Sequence, residues 1–130
     1  MKDFGIVDTT SAPRAIGPYS QALECQPRRM VFLSGQIGID PRTGALVGGG
    51  VREQARRALE NLDAVLLAAG LQRWNVVKTT IYLTDMGDYA TVNEVYAEYF
   101  GDHKPARAAV QVAGLPKGAL VEVEAIAVET

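Results

Sequence analysis

At 130 residues the chain has room for one domain and none for a second. An apolar fraction of 48%, a charged fraction of 22% and a formal net charge of −2 describe an ordinary globular chain rather than a disordered one, and withhold the net basic footprint of a nucleic-acid binder. The single Cys25 cannot form an internal disulfide, Met1-Lys2-Asp3 opens on a polar segment rather than a signal peptide, and no apolar run approaches the ~20 residues of a membrane span. The expectation is a cytoplasmic protein with no membrane partner.

In chain order, the start through Pro13 and Gly17-Pro18 reads as loop, Tyr19–Glu24 as a short strand, and Gln26–Arg29 as a turn. Met30–Gly35 is a strand with apolar residues on both faces. Asp40-Pro41-Arg42-Thr43-Gly44 carries turn chemistry: an acid at the first corner, a proline presetting the next φ, a closing glycine. Gly48-Gly49-Gly50 is a joint before the strongest helix, Val51 to Ala69, where Ala55, Ala58, Leu59, Leu62, Val65, Leu66 and Ala69 recur at three- and four-residue steps and Gly70 supplies the stop. Arg52, Arg56 and Arg57 in this helix read as a solvated face, with Glu53–Arg57 and Arg56–Glu60 at pairing distance. Val76–Thr84 is a β-branched strand; Asp85 or Asp88 caps a second helix ending near Phe100; two strands, about Ala108–Val112 and Leu120–Val128, close the chain.

These elements predict an α+β domain with one sheet and two helices. Two helices cover one face of such a sheet, yet Val31 and Leu33 oppose Phe32 across their strand, and the last strand is also two-faced. A monomer would expose too large an apolar area, so a homo-oligomer is expected to bury the second face.

Residues that could carry chemistry are few. The glycine triplet lacks the Gly-Lys-Ser/Thr of a phosphate loop, Ser34 lacks the flanks of a nucleophile elbow, and one histidine (His103) with one cysteine makes no His/Cys metal cluster. Arg107 opens a strand otherwise made of Ala, Val and Gln, and its guanidinium suits either a bidentate carboxylate clamp or an ion pair with Glu122 or Glu124. Those two acids share one strand face about 6.5–7 Å apart, which suits a proton-shuttling pair or a solubilising edge. Asn93, one helical turn after Tyr89, suits a pocket or a plain surface, and Tyr19 a packed ring or a pocket wall.

Taken together, Ile16-Gly17-Pro18-Tyr19-Ser20-Gln21-Ala22, Leu33-Ser34-Gly35-Gln36-Ile37-Gly38-Ile39-Asp40-Pro41, Val77–Leu83, Val92-Asn93 with Tyr96, Pro105-Ala106-Arg107, and Leu115-Pro116-Lys117 leading to Val121–Ala127 resemble the Rid (reactive intermediate deaminase) family, also called YjgF-like or L-PSP. The resemblance runs from about Ala15 to the end and rests on the order and spacing of motifs that are weak singly. It implies a single-domain, chorismate-mutase-like α+β fold with two helices on one face of a mixed sheet, and a homotrimer whose sheets form a central barrel-like core with clefts between subunits. It implies hydrolysis of 2-imino acids such as 2-iminobutanoate and 2-iminopropanoate to 2-keto acids and ammonia, a reaction an arginine and a carboxylate can carry with no metal or organic cofactor; the negative net charge leaves no nucleic-acid partner expected. Carried over by position, Arg107 would clamp the substrate carboxylate, Glu122 would hold and activate water, and Tyr19, Ser34, Gly35 and Asn93 would shape the cleft. Ala109 stands where many relatives carry cysteine and would contribute through its backbone; His103-Lys104-Pro105 departs from the Phe-Pro of many relatives. A small-carboxylate-binding regulator and an endoribonuclease or translation inhibitor are the competing readings.

Overall fold

The computed structural model describes residues 4–130. Its centre is a four-stranded mixed sheet in the order β3-β8-β6-β7, built from β3 (Arg29–Gln36), β6 (Val76–Leu83), β7 (Ala106–Gln111) and β8 (Val121–Glu129). β8 runs antiparallel to both β3 and β6, whereas β6 and β7 are parallel and joined by a helical crossover. Two small ribbons flank it: β1 (Gly5–Val7) with β2 (Ala22–Glu24), and β4 (Ile39–Asp40) with β5 (Ala45–Leu46). The second ribbon turns as the sequence expects. Asp40 accepts the amide of Arg42 at 2.9 Å, its carbonyl accepts those of Thr43 and Gly44, and Gly44 takes φ 74°, which a side chain would resist.

Both long helices, α1 (Val51–Ala68) and α2 (Tyr89–Phe100), lie on the same side of the sheet. Ala55, Ala58, Leu59, Leu62 and Leu66 of α1 are buried, while Val65, counted in the apolar stripe, is 40% exposed. Gly70 at φ 77° ends α1; its amide reaches the Leu67 carbonyl, and that of Leu71 returns to Leu66, so Leu71 is drawn into the core. From the sheet, Leu33, Ile81, Leu83, Val121, Val123, Ala125 and Ala127 meet the helices. β8 alternates accordingly, its odd positions buried and Glu122, Glu124 and Ile126 half-buried on the other side.

That other side has no layer over it in one chain. Met30 and Phe32 of β3 are 48% and 69% exposed, and Phe32 pairs with Ile126 across the ladder. Thr80 and Tyr82 of β6 and the exposed Ala108 and Val110 of β7 continue the face. The fold therefore has the one-sided helix cover expected from the sequence.

Several local expectations are corrected. In the segment Tyr19–Glu24 only Ala22–Glu24 is strand; Tyr19 and Ser20 instead dock on the start of β7, through a Ser20–Ala106 bridge. β7 begins at Ala106 rather than Ala108. Asp85 caps a short 3-10 turn, Met86–Asp88, by accepting from the Gly87 amide at 2.8 Å, and Asp88 precedes α2 without a side-chain cap. The arginines of α1 pair at three-residue spacing, Arg56 with Glu53 and Arg57 with Glu60, and Arg52 crosses to Glu94 on α2.

Candidate functional site

Arg107 pairs in register with Thr79 of β6, a fully buried residue that faces the helices, so its side chain leaves β7 on the helix side of the sheet. There it enters a tyrosine surround. Its guanidinium carbon lies 5.1 Å from the ring centre of Tyr19, 5.6 Å from Tyr89 and 5.0 Å from Tyr96. Its Nη2 donates to the Tyr89 hydroxyl at 3.0 Å. Its Nη1 is buried without a hydrogen-bond partner, and no ion pair to Arg107 occurs among the described residues. Aromatic faces stabilise a cation only partly, and an orphaned buried donor costs about 1–3 kcal/mol. No carboxylate among the described residues balances this charge.

The neighbouring loop is fastened so that Tyr19 reaches this charge. Ser20 Oγ donates to the Lys104 carbonyl at 2.6 Å, and the Ser20 amide donates to that of Pro105. The Tyr19 hydroxyl accepts from the Ile16 amide at 3.1 Å, closing a tight turn. Gly17 lies at its apex, and a Cβ there would stand 3.2 Å from Arg107 Nη2. Asn93, on α2 between Tyr89 and Tyr96, has its Oδ1 buried without a partner. Tyr96 is committed elsewhere: its hydroxyl shares a 2.8 Å bond with Thr79, and burial pushes its pKa up to about 12. Ala109, two residues along β7, faces the same side and packs against the core edge.

Glu122, Ser34 and Gly35 form a second group, on the uncovered face. Between Leu33 and Gln36 the β3–β8 register shifts, and the bulge falls on Ser34-Gly35. A Cβ on Gly35 would lie 2.2 Å from Glu122 Oε2, so the carboxylate rests on the bare backbone of the bulge. Glu124, its neighbour on that face, accepts the Tyr82 hydroxyl at 3.0 Å, which raises the pKa of that tyrosine. The two acids are thus distinguished: Glu124 is engaged within its sheet, whereas Glu122 stands over a glycine.

Neither acid pairs with Arg107, which removes the ion-pair reading. β7 and β8 are not neighbours; β6 lies between them, and Glu122 lies level with Tyr82 and Val110. Two inter-strand spacings, about 10 Å, and the thickness of the sheet separate the arginine side from the acid side. The structure sets Tyr19 against Arg107, with Ala109 on the same side of the sheet and Asn93 on α2 between the two tyrosines that touch the guanidinium, and it gathers Ser34, Gly35 and Glu122 on the opposite face, so the candidate residues form two separate groups. Tyr89 and Tyr96 were missed as surroundings of Arg107. Their spacing from Asn93 on one helix face was readable, but which strand that face meets depends on the β6–β7 crossover.

These features define a class: a small α+β domain with one-sided helix cover, an anion-ready arginine at a sheet edge and an acid on the open face. Residues 9–129 match the family model described as Endoribonuclease L-PSP, and the chain belongs to that family, the Rid or YjgF-like family its motifs resemble. It is 56% identical to a Mus musculus protein named 2-iminobutanoate/2-iminopropanoate deaminase, over 95% of this chain and 90% of the relative. Among solved structures, E. coli TdcF with bound serine is similar at 46% identity and TM-score 0.74, covering 97% of this chain and 99% of that one. The E. coli YjgF gene product is similar at 43% identity and TM-score 0.74, with the same coverages.

Proposed function

We propose that the chain is a homotrimeric hydrolase that deaminates 2-imino acids, 2-iminobutanoate and 2-iminopropanoate among them, to 2-keto acids and ammonia. The observation that carries this reading is Arg107: a guanidinium surrounded by tyrosines, with a buried donor unmatched and no carboxylate of its own. A substrate carboxylate supplies the missing acceptor. The name of the mouse relative supports the imine as substrate, and the serine in TdcF shows a relative holding a small 2-amino acid.

The chemistry asks little more of the protein. Arg107 anchors the carboxylate, which fixes C2 of the imine. Glu122 of a neighbouring subunit takes one proton from water as its oxygen bonds to C2 and passes it to the imine nitrogen, giving a carbinolamine; it then takes the hydroxyl proton and delivers it to the nitrogen as the C2 carbonyl forms and the C–N bond breaks. One water is consumed and one ammonia leaves, so atoms and charge balance without an oxidant or reductant. Tyr19 covers the anchor, and Ser34, Gly35, Asn93 and the backbone of Ala109 wall the cleft. The free Cys25 and the fact that no described helix is long and apolar enough to cross a membrane accord with a cytoplasmic setting.

Arg107→Ala removes hydrogen bonds to a charged group worth about 1.5–3 kcal/mol each. It is expected to lower kcat/KM by more than about a hundredfold in a coupled assay with a dehydratase that releases the imine. Wild-type clearance of iminobutanoate by that variant would end the proposal. Glu122→Gln separates catalysis from mere binding: it should still bind a 2-keto acid while losing turnover, whereas a carboxylate-binding regulator would show no turnover in the wild type either.

A further inference from the structure

We infer that Tyr89 is a specificity-determining residue of this site, orienting Arg107 and donating its own hydroxyl proton to the substrate carboxylate. The inference rests on the deaminase reading above and adds a second carboxylate donor to it.

Three tyrosine rings surround the guanidinium, and their hydroxyls differ in what they are bonded to. That of Tyr96 is tied to Thr79, in a position where neither residue is accessible. That of Tyr19 accepts from the Ile16 amide and so closes its own loop. The Tyr89 hydroxyl is the one joined to Arg107, at 3.0 Å from Nη2. A guanidinium nitrogen can only donate, so the phenol oxygen accepts in this bond. The phenol proton is then left to another acceptor, and the described residues offer none to it.

This proton is held beside a guanidinium whose other terminal nitrogen is also unmatched. Two donors on adjacent groups, Arg107 Nη1 and Tyr89 Oη, therefore lack an acceptor in one small region. A carboxylate has two oxygens and donates nothing, so it satisfies both. An amide or ester in its place would present one carbonyl and no full charge. Tyr89 also fixes the rotation of the guanidinium by occupying Nη2. Its position at the first residue of α2, in the half-buried zone between the helix and β7, puts the ring against the core and the hydroxyl at the margin.

The test compares wild type and Tyr89→Phe, which keeps the ring and removes only the oxygen. Binding of 2-ketobutyrate and of its uncharged amide is measured by calorimetry, and KM and kcat are measured in the coupled assay. Melting temperature and oligomer mass report on folding. Losing a hydrogen bond to a charged group should weaken 2-ketobutyrate binding and raise KM roughly tenfold, with a much smaller change in kcat and little change for the amide. Unchanged keto-acid affinity and KM in a folded Tyr89→Phe, or equal losses for acid and amide, would overturn the inference. If the wild type itself failed to clear iminobutanoate, the deaminase reading would fall, and the binding comparison would still report on Tyr89 as a carboxylate donor. Should Tyr89→Phe not fold, Tyr89→Trp, which restores an N–H donor on an aromatic ring, serves as the second variant: keto-acid affinity closer to wild type than that of Tyr89→Leu supports the donor role, and equal affinity of the two opposes it.

Discussion

At the scale of single residues, two glycines three positions apart have different duties. A Cβ at Gly35 would meet the Glu122 carboxylate, the far end of a flexible side chain. A Cβ at Gly38 would stand 2.7 Å from Cα and the carbonyl oxygen of Gln54, which are backbone atoms of α1. In the first case the side chain moves and the fold stays; in the second the helix must retreat from β4. Gly35→Ala is therefore expected to melt within a few degrees of wild type while its turnover falls toward that of Glu122→Gln. Gly38→Ala should lose about 1–3 kcal/mol of stability, the usual cost of overpacking. Calorimetry and the coupled assay on both proteins check the contrast, and a fully active Gly35→Ala would show that Glu122 does not need its place on the bulge.

At the scale of elements, α2 is pinned to the sheet by the Tyr96–Thr79 bond, and the burial of that hydroxyl makes the pairing sensitive to alkali. Burial raises the Tyr96 pKa from 10.0 to about 12. A pKa raised on folding means the folded state holds its proton more tightly, so the stability it contributes is complete below pH 10 and is lost as pH rises toward about 12. A shift of that size corresponds to roughly 3 kcal/mol. Tyr96→Phe should be less stable at neutral pH by about 1–3 kcal/mol, because the Thr79 hydroxyl loses its partner, yet fall less steeply across the alkaline range. Melting curves between pH 8 and 12 measure both effects. The elements themselves were largely legible beforehand. The stripe of α1, the Asp40 turn and the β-branched run of β6 each follow from local pattern, and each stands within a residue or two of where it was expected. What local pattern could not carry was adjacency. That β6 separates β7 from β8, and that Tyr19 docks on Ala106 instead of extending a strand, are matters of tertiary pairing. The same limit applied to the site: Arg107 and Glu122 were identifiable through the family motifs, but their placement on opposite faces required the sheet order.

At the scale of the whole molecule, the proposed mechanism together with that placement makes oligomerisation a condition for catalysis. One chain exposes Phe32 at 69% beside Ile126 on a face with no helix over it, and a second copy is the natural cover. If each cleft takes Arg107 from one subunit and Glu122 from the next, around a closed ring of three, the two halves can be separated genetically. Arg107→Ala and Glu122→Gln proteins are each expected to be inactive alone. Unfolded together in equal amounts and refolded, they form mixed rings in which some interfaces join the intact arginine of one chain to the intact glutamate of the other. With random assembly each interface has one chance in two of the right chain on each side, so about a quarter of the wild-type sites should return. Adding Phe32→Glu to both variants should abolish the recovery and leave a particle of single-chain mass in light scattering, since an exposed ring contributes little to the core of its own chain. A site contained within one chain would behave otherwise: every refolded chain would still carry its own defect, and mixing would restore nothing.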